Sequence, residues 1–111
     1  MQINFESFDK LTMGDADFAQ DLLRIYIDEF EEYISEVEEF LTHKDLSKFR
    51  QNNHDLRTLV KTLSLDSIID LQEKLKSSVT RNLPADQLDF HGKEMKKIIQ
   101  QVIKALKDKL G

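Results

Sequence analysis

Residues 16–42, ADFAQDLLRIYIDEFEEYISEVEEFLT, carry the pattern that decides the fold. Phe18, Leu22, Ile25, Tyr26, Phe30, Tyr33, Ile34, Val37, Phe40 and Leu41 recur at steps of three and four, the spacing that returns to one side of an α-helix. The other side carries Asp28, Glu29, Glu31, Glu32, Glu36, Glu38 and Glu39. This acidic run reads as a solvated face. Carboxylates that hold a metal converge from several elements or come with His at ligand spacing, and neither pattern occurs here. Asp15 or Asp17 can cap the helix N-terminus, where early acids also suit the macrodipole.

Outward from this helix the chain keeps the same period. Upstream, Ile3, Phe5, Phe8 and Leu11 predict one or two helical turns within residues 2–12, broken at Met13-Gly14-Asp15. Downstream, Thr42-His43-Lys44-Asp45 is a short connection, so the next helix, Asp45 to Leu63, is expected to run antiparallel. Ser64-Leu65-Asp66 is a second break, with Ser64 or Asp66 available as a cap, and Ile68, Ile69, Leu71, Leu75 and Val79 mark a helix over 67–79. Thr80 to Pro84 is a loop, and Pro84 suits the first turn of a last helix carrying Leu88, Met95, Ile99, Val102, Leu106 and Leu110. Gly92 inside that helix costs about 1 kcal/mol against Ala, which leaves room for fraying or a kink there. Its lysines face the opposite way and can offset the acidic helix. No segment alternates with period two. The expected fold is all-α: one domain over residues 1–111, an antiparallel up-and-down four-helix bundle with a short additional N-terminal helix.

Composition narrows the function. A formal charge of −5 argues against nucleic acid, which needs an electropositive footprint. With no Cys there is no disulfide, thiolate metal site or thiol nucleophile. No Gly-rich phosphate loop and no hydrolase-type constellation of acid, base and nucleophile is visible, so an enzyme with its own active site is not expected. The N-terminus has no basic stretch followed by an apolar core, and no apolar run approaches ~18 residues. The expected location is the cytoplasm, without membrane attachment.

The helix at Asp45 to Leu65, DLSKFRQNNHDLRTLVKTLSL, holds the candidate site. At about 100° per residue, Leu46, Phe49, Asn53, Leu56, Val60 and Leu63 fall on one stripe, and His54 points roughly 140° away from its centre. Arg50, Arg57 and Thr58 lie one turn from His54 on the exposed side, and Lys61 two turns on. A lone imidazole on an outward face, surrounded by three cations in an acidic chain, is an unusual use of positive charge. Asn53, at the edge of the stripe, suits a backbone or inter-helix hydrogen bond. His43 and His91 have no such surroundings.

Asp45…Phe49-Arg50…Asn53-His54-Asp55-Leu56-Arg57-Thr58, in a chain ordered as short helix, acidic helix, His helix and two more helices, resembles the histidine-containing phosphotransfer (HPt) domain of multistep phosphorelays. The family motif reads roughly H-x-L-K-G. Arg57 stands at its Lys, keeping the charge but exchanging a mobile ammonium for a planar fork. Thr58 stands at its usual small residue, and Ser64 at a common Gly near the helix end. The resemblance implies a phosphocarrier: His54 accepts a phosphoryl group from the aspartyl phosphate of a response-regulator receiver domain or hybrid sensor kinase and passes it to another receiver. It assigns phosphoryl stabilisation to Arg57, Arg50, Lys61 and Thr58, and partner docking to an apolar patch where Leu59, about 80° from the stripe centre, is a candidate together with the first segment. It implies no cofactor or metal of this chain's own, Mg²⁺ belonging to the receiver; the oligomeric state is open, with a monomer the default expectation. An ordinary histidine, with a pKa of ~6.5, is mostly neutral and nucleophilic at neutral pH. Nearby cations disfavour imidazolium and favour a phosphoryl dianion. Two other readings remain: an HPt-like adaptor that docks without transfer, which Thr58 favours by crowding the imidazole, and an unrelated helical interaction module.

Overall fold

The computed structural model describes residues 3–111, and within these the chain is helical throughout, with no strand: α1 (Glu6–Thr12), α2 (Ala16–His43), α3 (Leu46–Thr62), α4 (Asp66–Thr80) and α5 (Ala85–Leu110). Gln2, the start of the first expected segment, lies outside the described residues. The five expected elements are present, with ends that shift by at most four residues.

The cap residues explain where α2 and α3 begin. Asp15 Oδ1 accepts from Phe18 N at 3.0 Å, and Asp45 Oδ1 accepts from Lys48 N at 3.1 Å, each satisfying one of the amides that a helix start leaves unpaired. For α4 the expectation fails. Leu65 is the N-cap, with no side-chain bond, and neither Ser64 nor Asp66 caps. Ser64 is used differently, since its φ of 56° places it in the left-handed region at the turn after α3. Met13, Lys44 and Asn82 do the same after α1, α2 and α4, all without the conformational freedom of glycine.

Packing follows the apolar stripes. α2 packs on α3 and α5, α4 packs on α3 and α5, and α1 lies on α2. Phe30, Tyr33 and Val37 of α2, Phe49 and Val60 of α3, Ile68 and Leu75 of α4, and Met95, Ile99, Val102 and Leu106 of α5 are almost fully buried. Each such apolar side chain contributes about 1.5–3 kcal/mol relative to exposure. Phe40 and Phe49 stack at 4.0 Å between centroids and clamp α2 to α3 beside their turn. The acidic face of α2 meets lysines of α5 through Lys96–Glu38 at 3.9 Å and Lys107–Glu31 at 3.5 Å, exposed pairs of small energetic weight. α5 continues as helix through Gly92. A Cβ at Gly92 would lie 2.6 Å from Leu41 Cδ1, so the glycine is where α5 closes on α2. The principal extents, 47 × 23 × 19 Å, are those of a rod about as long as α2 itself.

Candidate functional site

α3 exposes His54. Phe49, Asn53, Leu56, Val60 and Leu63 turn inward as the stripe predicts, and the His54 side chain, on the opposite side, is 78% exposed. Its Nδ1 lies 3.8 Å from Asp55 Oδ1, which also accepts from Gln51 Nε2 at 2.8 Å. That leaves Nε2 as the nitrogen without a neighbouring acid.

Beside the imidazole runs a groove of about 210 Å³ between α3 and α4. Arg50, His54 and Arg57 line it from α3, and Gln72, Glu73 and Lys76 line it from α4. Among the described residues neither Arg50 nor Arg57 is within ion-pair distance of a carboxylate, whereas Lys48, Lys96, Lys107 and Lys109 all have acid partners. Lys76 is partly buried and held by Glu73 at 2.7 Å. The groove thus gathers three cations against one carboxylate, with the imidazole at the same site.

One sequence expectation changes here. Lys61 and Thr58 are exposed as expected, Lys61 one turn beyond Arg57 and Thr58 with its carbonyl accepting from Thr62 Oγ1 at 2.8 Å, and neither lines the groove. Leu59 is not a docking residue, because it is only 4% exposed and belongs to the core. A helix wedged between two neighbours buries more than a single narrow stripe, and Leu59 lies on the shoulder that α2 closes. Exposed apolar side chains do occur in the first segment and the start of α2, where Leu11, Met13, Phe18 and Ile25 are half or more uncovered apart from Phe18 at 43%.

Gln72, Glu73 and Lys76 escaped sequence reasoning. Their period shows that they share a helix side with Ile69, but which α4 residues stand opposite His54 depends on how α4 is placed along α3, and no local signal encodes that.

Beneath the groove lies a buried polar network. The Tyr33 hydroxyl of α2 donates to Asn53 Oδ1 of α3, and Gln72 Nε2 of α4 donates to the Tyr33 oxygen at 3.2 Å. Asn53 therefore makes the inter-helix bond expected of it. Burial pushes the Tyr33 phenol far above its ordinary range, so it stays a neutral donor. Asn53 is 9% exposed, and its Nδ2 has no partner among the described residues. A buried donor left this way costs about 1–3 kcal/mol.

The other flank of α3 has the opposite charge. Glu29, Glu32, Glu36 and Asp55 line a groove between α2 and α3. Desolvation, then the neighbouring Glu32 and Asp55 carboxylates, raise the Glu36 pKa against the pull of Lys48. Desolvation and Glu32 likewise raise that of Glu29. Among the described residues no group of three or more His, Asp or Glu stands in an arrangement that could hold a metal ion.

Comparison with protein-family models, with curated proteins and with solved structures finds no match to this chain.

Proposed function

We infer that this chain is a histidine phosphocarrier, taking a phosphoryl group on His54 from a receiver-domain aspartate and handing it to another receiver. The observation that carries the reading is the exposed imidazole beside Arg50 and Arg57, two guanidinium groups with no carboxylate partner among the described residues. Cations held without a counter-ion next to a nucleophile favour a group that arrives with negative charge. The finer architecture belongs to the same proposal. Short turns after each helix and the sequence of neighbours α2–α3–α4–α5–α2 support an antiparallel up-and-down four-helix bundle.

In the transfer, Nε2 of neutral His54 attacks phosphorus, and the bond from phosphorus to the aspartyl oxygen breaks. The aspartate leaves as carboxylate, and the ring becomes a phosphoimidazolium whose Nδ1–H faces Asp55. Arg50 and Arg57 then neutralise phosphoryl oxygens. Lys76 joins them to the extent that the phosphoryl group competes with Glu73. The chain supplies position and charge, while the partner supplies its own Mg²⁺ and leaving group. Exposed Leu11, Met13, Phe18 and Ile25 are the apolar surface available for docking. Lys61 and Thr58, outside the groove, act on the approaching partner rather than on the phosphoryl group.

A second reading, docking without transfer, is favoured by Thr58, an exposed branched residue one turn from His54. One experiment separates the two. A receiver domain loaded from [³²P]acetyl phosphate is mixed with the chain, which is then examined for acid-labile, base-stable label. The carrier reading expects label that is lost in His54→Gln. Receiver binding without label, with several receivers tried, overturns it in favour of docking alone.

A further inference from the structure

We propose that Asp55, braced by Gln51, is a positioning residue for His54: it holds the imidazole proton on Nδ1 and so keeps Nε2 unprotonated as the nucleophile. The proposal deepens the phosphocarrier reading and rests on it. A neutral imidazole has one N–H and one in-plane lone pair, and the group beside each nitrogen decides which carries which. Here Nδ1 faces an acid, Asp55 Oδ1 at 3.8 Å. That separation is too long for a closed hydrogen bond, so the influence is electrostatic. A negative oxygen beside Nδ1 favours a proton there over a lone pair. Gln51 Nε2 donates at 2.8 Å to that same oxygen. The bond joins residues one helical turn apart and fixes a carboxylate that would otherwise turn in solvent.

The choice of nitrogen matters to the reaction. With the proton on Nδ1, the Nε2 lone pair forms the bond to phosphorus, the aspartyl oxygen leaves with its own pair, and the ring keeps Nδ1–H as a phosphoimidazolium. On the return step the Nε2–P bond breaks toward nitrogen, and the ring is neutral again with its proton still on Nδ1. No proton has to move in either direction. With the proton on Nε2, that nitrogen has no pair to offer. Attack is then left to Nδ1, the nitrogen nearer the backbone and the one with a carboxylate beside it. Asp55 lines the acidic groove, whereas Arg50 and Arg57 line the basic one with His54, so one carboxylate orders the ring while two guanidinium groups remain for the phosphoryl charge.

The test uses the full chain with ¹⁵N-labelled imidazoles at about pH 9, where an ordinary histidine is neutral. Nitrogen shifts and couplings to the ring protons give the ratio of Nδ1–H to Nε2–H for each histidine, with the His54 signals identified by their loss in His54→Gln. Asp55→Asn keeps the shape of an exposed helix residue and removes its charge. It is expected to lower the His54 ratio about twofold, the scale of an exposed charged pair, and to leave His43 and His91 as they are. Gln51→Ala is expected to lower it in the same direction by less. An unchanged His54 ratio in Asp55→Asn overturns the proposal, and an unchanged ratio in Gln51→Ala overturns the role given to the brace. In a second arm a loaded receiver domain labels each variant, and the initial rate is expected to fall with the ratio; labelling at wild-type speed despite an altered ratio also overturns the proposal. The two readings fail separately. Label on His54 with a ratio that Asp55→Asn does not move removes the positioning role and leaves the carrier. A ratio that moves as expected, in a chain that no receiver labels, removes the carrier and leaves the control of the ring proton.

Discussion

The two flanks of α3 differ in charge. Toward α4 stand Arg50, Arg57 and Lys76 with His54, and toward α2 stand Glu29, Glu32, Glu36 and Asp55. At about 100° per residue, Arg57 and Leu59 lie roughly 80° either side of the stripe centre, yet Arg57 borders a groove while Leu59 is part of the core. One 17-residue helix thus separates a basic groove from an acidic one, with the imidazole on the basic one. Helix position alone does not decide whether a shoulder residue is structural or functional; the neighbour that covers it does.

The largest effect should come from the closed shoulder. Leu59→Ala should cost about 2–5 kcal/mol, the range for emptying a packed core position. Arg57→Ala should change stability by no more than about 0.5 kcal/mol, as for a surface side chain. Urea denaturation of both variants checks this, and equal losses would break the contrast.

Next in size is the network that divides the two grooves. Tyr33 borders the acidic groove, while Asn53 and Gln72 border the basic one. Tyr33→Phe leaves Asn53 Oδ1 and Gln72 Nε2 buried without their partner and should cost about 1–3 kcal/mol. Thermal unfolding measures it. A neutral result would mean that the amides rearrange to satisfy each other.

A smaller effect tests the charge contrast directly. Replacing both guanidinium groups, Arg50→Gln with Arg57→Gln, should weaken inorganic phosphate binding about tenfold, the loss expected for charge-assisted hydrogen bonds in a solvated groove. Glu32→Gln in the opposite groove should change it by less than about twofold, since charges across the helix are screened over roughly 8–10 Å. Similar effects from both would show that net charge, rather than the groove, governs binding.

Much of this was legible from single helices. The period of α2, Asp15 as a candidate cap, and the outward direction of His54 and Arg57 are local properties, written in residues within a turn or two of each other. What failed depended on neighbours. Leu59 was expected outside because a helical wheel does not show how far neighbouring helices cover a shoulder. Gln72, Glu73 and Lys76 needed the register of α4 against α3. Why α5 carries Gly92 was hidden too, because the reason is Leu41, whose side chain occupies the space that a Cβ would need. The donor–acceptor chain through Tyr33 was hidden for the same reason, because its members are 20 and 39 residues apart.

The acidic side yields the finest test. Glu36 has a raised pKa because desolvation and the Glu32 and Asp55 carboxylates disfavour its charge. The folded chain therefore holds this proton more tightly than the unfolded one. The associated stability is fully present below the ordinary glutamate range and is lost as pH rises through the raised value, so at neutral pH ionised Glu36 is a small liability. Glu36→Gln should stabilise the fold at pH 7 by a few tenths of a kcal/mol, a figure already reduced for solvent screening. The gain should shrink as pH falls and vanish below about pH 4, where wild-type Glu36 is itself neutral. Denaturant midpoints of the two proteins across this range supply the measurement. A gain that persists unchanged at low pH would trace to packing or helix propensity, and the repulsion assigned to this flank would have to be withdrawn.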